Sequence, residues 1–201
     1  MRSWRDFLMK NKKYDGVYEW APTSEAFYRT IKKFIKKEDN ILEFGSSTGH
    51  ISYRLAREGY NVTLLDIRRE PIEIAKNNFK KNNVRANFIC ADIFDCTNRY
   101  DIAWNSGLIQ CYDDDDKDKL INKLTGITNR VLLFYPDVEN PKKKRGTNEN
   151  EVPGVGDAKE YNIKRIPEII YACFDEIYHG ILEKEKIGLE YDMYWIYAWK
   201  K

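Results

Sequence analysis

Ile41-Leu42-Glu43-Phe44-Gly45-Ser46-Ser47-Thr48-Gly49-His50 is the stretch that decides the fold. An apolar run from Asn40 to Phe44 meets a turn bounded by Gly45 and Gly49, and a helical pattern with Ile51 and Leu55 follows until Gly59. A short strand that turns through glycines into a helix is the opening βα unit of an α/β sheet. Glycines at that junction let the backbone turn sharply and approach a ligand closely, and the free N–H groups of the helix start favour polar or anionic groups.

Working outward, the alternation continues. Val62-Thr63-Leu64-Leu65 reads as a second strand ending at Asp66, and the spacing predicts a helix over 71–81 with Pro71 in its first turn. A third strand over 87–90 ends at Ala91-Asp92, a fourth covers 100–104, and a fifth covers 131–135. Leu120, Ile121, Leu124 and Ile127 mark a helix over 118–128. Near-continuous apolar strands joined by helices imply a doubly wound, mostly parallel sheet with both faces covered. After a helix over 163–173, two strands over 175–182 and 191–199 flank a polar turn at Ile187-Gly188. With no helix predicted between them, they form an antiparallel hairpin at the end of the sheet.

Two segments stand outside this pattern. Thr23-Ser24-Glu25 starts a helix whose apolar stripe is Phe27, Ile31, Phe34 and Ile35, with Arg29, Lys32, Lys33, Lys36 and Lys37 mainly on the solvated side. Residues 136–160 hold Pro136, Pro141, Pro153, Gly146, Gly154, Gly156 and the basic run 142–145, which reads as a functional lid or a flexible loop.

The chain of 201 residues fits a single domain over 1–201, with 1–38 forming an arm and helix that cover the site. Hydrophobic residues at 42% and charged residues at 33% are a globular balance. The net charge of +2 argues against a chain built mainly for phosphate backbones. No run reaches the roughly 18 apolar residues of a membrane span, and the first residues lack the apolar core of a signal peptide. The four cysteines form no C-x-x-C pair, and with two histidines no zinc spacing can be drawn. Three of the cysteines lie among apolar neighbours and are expected to be buried thiols. The expectation is a cytoplasmic protein with no membrane or metal site.

Three strand ends carry the chemistry. Glu43, Gly45 and Gly49 mark the first, but Ser47 stands where a dinucleotide fingerprint needs its middle glycine. Asp66 ends the second, where an acid can accept hydrogen bonds from both ribose hydroxyls of a nucleoside. Asp92 ends the third and can accept the exocyclic amine of adenine, with Ile67 and Ile93 on either side of the ring. Each acid alone is more often a helix cap. Acid and glycine at matched positions on three successive strand ends point to a nucleoside site.

The segments 41–50, 62–66 and 88–93, together with Tyr100-Asp101-Ile102-Ala103-Trp104-Asn105-Ser106-Gly107-Leu108-Ile109, resemble the class I S-adenosylmethionine-dependent methyltransferases over residues 40–135. The resemblance implies a seven-stranded sheet of order 3-2-1-4-5-7-6 and S-adenosylmethionine as cofactor, leaving S-adenosylhomocysteine as product. It also implies roles by position. Glu43 would orient the methionine amino group, and Gly45, Ser46 and Gly49 would shape the loop under methionine and ribose. Asp66 would hold the ribose hydroxyls, Asp92 and Ile93 would read the adenine beside Ile67, and Asn105 would sit beside the methyl group.

The chain departs from the family in two places. Gln110 and Cys111 replace the His pair of many small-molecule members, and Trp104-Asn105-Ser106-Gly107 lacks the Asn-Pro-Pro-Tyr type motif of amino-group nucleic-acid methylases. No catalytic residue is assigned; His50 and Asp113 are read as structural. The acceptor is expected to be a small molecule covered by the arm and the 136–160 loop. The alternatives are an RNA or protein substrate, for which Lys32, Lys33, Lys36 and 142–145 would form a basic face, or a non-catalytic cofactor-binding module. Tyr14, Tyr18 and Trp20 are candidates to close the site over a sulfonium.

Overall fold

The computed structural model describes residues 20–112, 114–136, 165–189 and 191–201. Seven strands form one sheet in the order β3-β2-β1-β4-β5-β7-β6. They are β1 (Asn40–Phe44), β2 (Asn61–Asp66), β3 (Asn87–Cys90), β4 (Ile102–Ser106), β5 (Arg130–Pro136), β6 (Glu176–Leu182) and β7 (Met193–Trp199). The first five are parallel, while β7 runs antiparallel to both β5 and β6. The helices are α1 (Pro22–Ile31), α2 (His50–Arg57), α3 (Arg69–Lys81), α4 (Asp114–Ile127), α5 (Arg165–Cys173) and the one-turn α6 (Lys184–Ile187). The fold class and strand order expected from the sequence are those observed.

Successive side chains of a strand point to opposite faces, so each strand feeds two cores. Leu42, Phe44, Ala103, Val131 and Leu133 pack with Leu120, Ile121 and Leu124 of α4 and Ile166 and Ile170 of α5. Ile41, Val62, Leu64, Ile102, Trp104 and Leu132 pack with Phe27 and Ile31 of α1, Leu55 of α2, and Ile72 and Phe79 of α3. Both faces of the sheet are covered, and this two-sided burial is why the strands lack polar alternation.

Several boundaries shift from the sequence reading. β4 begins at Ile102 rather than at residue 100, because Asp101 turns back on β1: its amide donates to the Asn40 carbonyl, and its Oδ2 accepts from Asn40 N and Nδ2 at 2.7 and 3.1 Å. Ile102 then registers with Ile41. The helix expected from residue 118 starts at Asp114, so Asp115 and Asp116 lie in its first turn, where acids suit the helix dipole. The polar turn between the last strands contains α6, closed by Gly188 at φ 68°. Ile187 is buried, and its carbonyl accepts from Thr23 Oγ1 of α1 at 2.6 Å.

Helix α1 stops at Ile31, short of the stripe's end, and Phe34 instead stacks on Tyr197 at 4.1 Å between ring centroids. Among the described thiols the expected burial holds for Cys96, whereas Cys90 is exposed and Cys173 half-buried. No helix among the described residues is long and apolar enough to cross a membrane, and no metal-holding cluster occurs among them. The 142–145 basic run, Asp113, Tyr14, Tyr18 and most of the expected 136–160 lid lie outside the described residues.

Arg130 ties the lower end of the sheet together. Its guanidinium pairs with the buried Asp39 at 2.5 Å, donates to the Asp101 carbonyl at 2.9 Å, and reaches Phe34 O at 3.4 Å. Removing it leaves Asp39 buried without its cation. Arg130→Met should cost about 3 kcal/mol, lowering the thermal midpoint by roughly 6–12 °C. A calorimetric midpoint within a degree or two of wild type would refute this role.

Candidate functional site

In a doubly wound sheet the chain leaves neighbouring strands toward opposite faces where the strand order reverses, and the crevice this opens is where ligands bind. Here that point lies between β1 and β4, whose pairing runs from Ile41↔Ile102 to Glu43↔Trp104 and then stops. The loop after β1 is tightly wound: Gly45, Ser47 and Gly49 take φ of 61°, 49° and 66°. Gly49 is dictated by space as well as by torsion, since a Cβ there would fall 1.9 Å from Leu64 Cδ2. At Gly45 a Cβ would meet Leu108 Cδ2 at 2.7 Å and Asn105 Nδ2 at 3.2 Å, so the loops after β1 and β4 touch. Ser46 N donates to the Leu65 carbonyl at 3.0 Å, pinning the loop to β2.

Glu43 sits at the root of this loop, 8% exposed, with Oε2 lacking any hydrogen-bond partner among the described residues. That oxygen lies 3.9 Å from the point where a Gly49 Cβ would be. Burial pushes its carboxyl up to about 8; the approach of Ser52 offsets part of the rise and the nearby charge of Asp66 adds to it. Ser46 Oγ, in the loop, and Gln110 Oε1, in the short helical turn Ile109–Cys111 after β4, are likewise buried without a partner. Unpaired buried acceptors are costly, and three of them lie at the end of β1 and just after β1 and β4.

The remaining residues singled out from sequence divide. Asp66 is 3% exposed and fully engaged: Oδ1 accepts from Arg68 N at 2.9 Å and Nε at 3.1 Å, and Oδ2 from Ser47 N at 2.9 Å and Arg68 Nη2 at 3.2 Å. Asp92 caps the turn Ile93–Asp95 by accepting from Phe94 N at 3.0 Å. Ile67 projects into the open at 64% exposure, but Ile93 is buried in the α4-side core beside Leu65 and Ala103. The two side chains expected around a ring thus lie in different surroundings, one exposed and one in the core. Phe94, partly exposed, is the apolar side chain offered at that strand end.

Asn105 lies within β4, not beyond it, and is 1% exposed; its Nδ2 donates to Phe44 O at 2.5 Å while its Oδ1 accepts from Leu108 N at 2.8 Å. Both ends of its amide are used inside the protein. His50 meets Ser24 Oγ at 2.9 Å, and burial holds its ring down at about 4, so it is a neutral strut between α1 and α2. A cavity of about 1020 Å³ opens at the other end of the sheet around Tyr60, Val84 and Phe88, and contains none of these residues.

Residues 41–130 match the family model described as a methyltransferase domain. A Methanocaldococcus jannaschii protein that carries the name of a protein N5-glutamine methyltransferase is 32% identical over 145 residues, which is 69% of this chain and 73% of the relative. The chain belongs to the class I S-adenosylmethionine-dependent methyltransferases. A ribosomal protein L11 methyltransferase of Thermotoga neapolitana matches over a shorter stretch, 64 residues at 31% identity, covering 31% of this methyltransferase and 24% of the relative. Among solved structures, the magnesium protoporphyrin IX methyltransferase of Synechocystis PCC 6803 with bound S-adenosylhomocysteine shares the fold at a TM-score of 0.70 and 16% identity, over 89% of this chain and 82% of that one. A methyltransferase from Methanosarcina mazei does so at 0.67 and 19%, over 85% and 96%.

The methyl donor of this family is S-adenosylmethionine, and the residues present fit it. The unpaired acceptors suit an ammonium, and the glycine cradle has no room for a Cβ.

Glu43 also makes a ligand-free test possible. Its folded value lies above the ordinary 4.5, so the folded state retains a proton that the unfolded chain releases between about pH 4.5 and 8, and stability falls as pH rises through that window. For a fully buried carboxyl the loss is on the order of 4 kcal/mol by pH 8. Urea unfolding of wild type from pH 5 to 8 should show this decline, and Glu43→Gln should remove most of it. Parallel declines would assign the effect elsewhere.

Proposed function

We propose that this methyltransferase carries a methyl group from S-adenosylmethionine to a small-molecule acceptor by in-line displacement, with the donor held at the carboxyl ends of β1 to β4. The observation that carries the placement is the buried, unpaired Glu43 Oε2 beneath the Gly49 turn. Bound there, S-adenosylmethionine supplies a methyl group already activated on a sulfonium. Glu43, opposite the methionine ammonium, gives up its proton and becomes its counter-charge. Gly45, Ser46 and Gly49 let the backbone close on the methionine and ribose. Asp66 accepts the ribose hydroxyls. Asp92 keeps one oxygen for the adenine amine while the other caps its turn, and Ile67 and Phe94 offer apolar surface to the ring. With the methyl group activated, orientation at near-attack distance supplies much of the acceleration.

Asn105 acts through the scaffold: by joining Phe44 O to Leu108 N it holds the two loops at the distance the donor needs. The segment leading into α1 is proposed as part of the cover, since Trp20 packs edge-on against His50 with centroids 6.3 Å apart. The small-molecule reading draws on the engagement of Asn105, whose amide is used at both ends inside the protein and so does not grip a planar amide or a base. A second reading, transfer to a glutamine side chain of a protein, is favoured by the name of the 32% identical relative.

Two experiments test these readings. Titration of S-adenosylhomocysteine at pH 7 in buffers of different ionisation enthalpy should show roughly one proton released per site, abolished in Glu43→Gln. Binding without proton release would remove Glu43 from the ammonium site. Incubation of the protein with methyl-labelled S-adenosylmethionine and fractionated cell extract should place label in the low-molecular-weight pool. Label in protein, alkali-stable and on glutamine, would establish the second reading, and label in RNA would refute both.

A further inference from the structure

The carboxylate of Asp66 has about four acceptor positions, two on each oxygen, and all four are taken. Two are filled by backbone amides, Arg68 N on Oδ1 and Ser47 N on Oδ2, which belong to the loops that fix the carboxylate in place. The other two are filled by one guanidinium, Nε on Oδ1 at 3.1 Å and Nη2 on Oδ2 at 3.2 Å. A ribose presents the same pattern, two donors side by side from its vicinal hydroxyls. The guanidinium fork and the diol therefore compete for one pair of positions, and at 3% exposure Asp66 has no other face to offer. Arg68, by contrast, is 34% exposed along its side chain, with its Nη1 buried.

We infer that Arg68 is a displaceable occupant of the ribose subsite, one that stands in for the diol on Asp66 and sets how tightly and how selectively a nucleoside ligand binds. This rests on the reading that Asp66 receives the ribose. The exchange gives up a charge-assisted fork for two hydroxyl donors, so each binding event is charged the loss of the Arg68 contact. Ribose hydroxyls consequently contribute less to affinity in the wild-type protein than an open carboxylate would allow. Sequence reading missed this residue because an arginine two positions after a strand end looks like ordinary helix-start surface.

The test is calorimetric titration with S-adenosylhomocysteine and with its 2′-deoxy analogue. Arg68→Gln should bind S-adenosylhomocysteine about tenfold more tightly than wild type, which is 1.4 kcal/mol at 25 °C, and should discriminate more strongly against the deoxy analogue. Arg68→Lys keeps a cation but not the fork, and should tighten binding about threefold, so it carries the test if the glutamine variant fails to fold. Unchanged or weaker binding in either folded variant, with wild type binding normally, overturns the proposal and makes Arg68 a support for Asp66. Wild-type protein that binds no S-adenosylhomocysteine at millimolar concentration, while its unfolding transition remains intact, would overturn the site reading itself.

Discussion

The carbonyl of Phe44 lies one residue past the end of β1–β4 pairing, at the point where the sheet reverses its winding and β1 runs out of ladder partners on the β4 side. A buried carbonyl left unpaired there would be costly. Asn105 satisfies it from β4, and the same amide takes the amide proton of Leu108. That bridge ties the loops after β1 and β4 together at the base of the crevice. The tight approach of Gly45 to Leu108, the wound loop above it, and the position of Glu43 all follow from two loops being held this close.

Around that crevice two neighbouring carboxyl groups live in opposite surroundings. Glu43 is desolvated with one oxygen unpaired, and holds its proton to about pH 8. Asp66 is equally buried but is wrapped by N–H donors on both oxygens. Environment alone separates two chemically similar groups: one is left with an unpaired oxygen, while the other has both oxygens filled by N–H donors. Methyl transfer from a sulfonium asks for that division, because binding and orientation are the main tasks left to the protein.

The order of strands and helices was legible because every inner strand is an apolar run bounded by a turn residue, and the glycine loop was legible because its torsions and its contact with Leu64 exclude other residues. Boundaries set by side-chain contacts were not. Asp101 delays β4 by folding back on Asn40, and α6 is a single turn held by Thr23 from across the molecule. Within the site, the positions of Glu43, Asp66 and Asp92 on successive strand ends could be read, whereas the inward turn of Ile93, the exposure of Phe94 and the locked amide of Asn105 could not.

The sequence by itself determined the winding of the sheet, since periodicity and turn residues act locally, and its resemblance to the class I methyltransferases implied the class of chemistry. Only the tertiary structure decided which polar groups are spent inside the protein and which remain for a ligand. Hydrogen-bond partners such as Phe44 with Asn105, separated by 61 positions, meet only after the strands have paired. Whether a buried acceptor is satisfied depends on that meeting, and no local pattern records it.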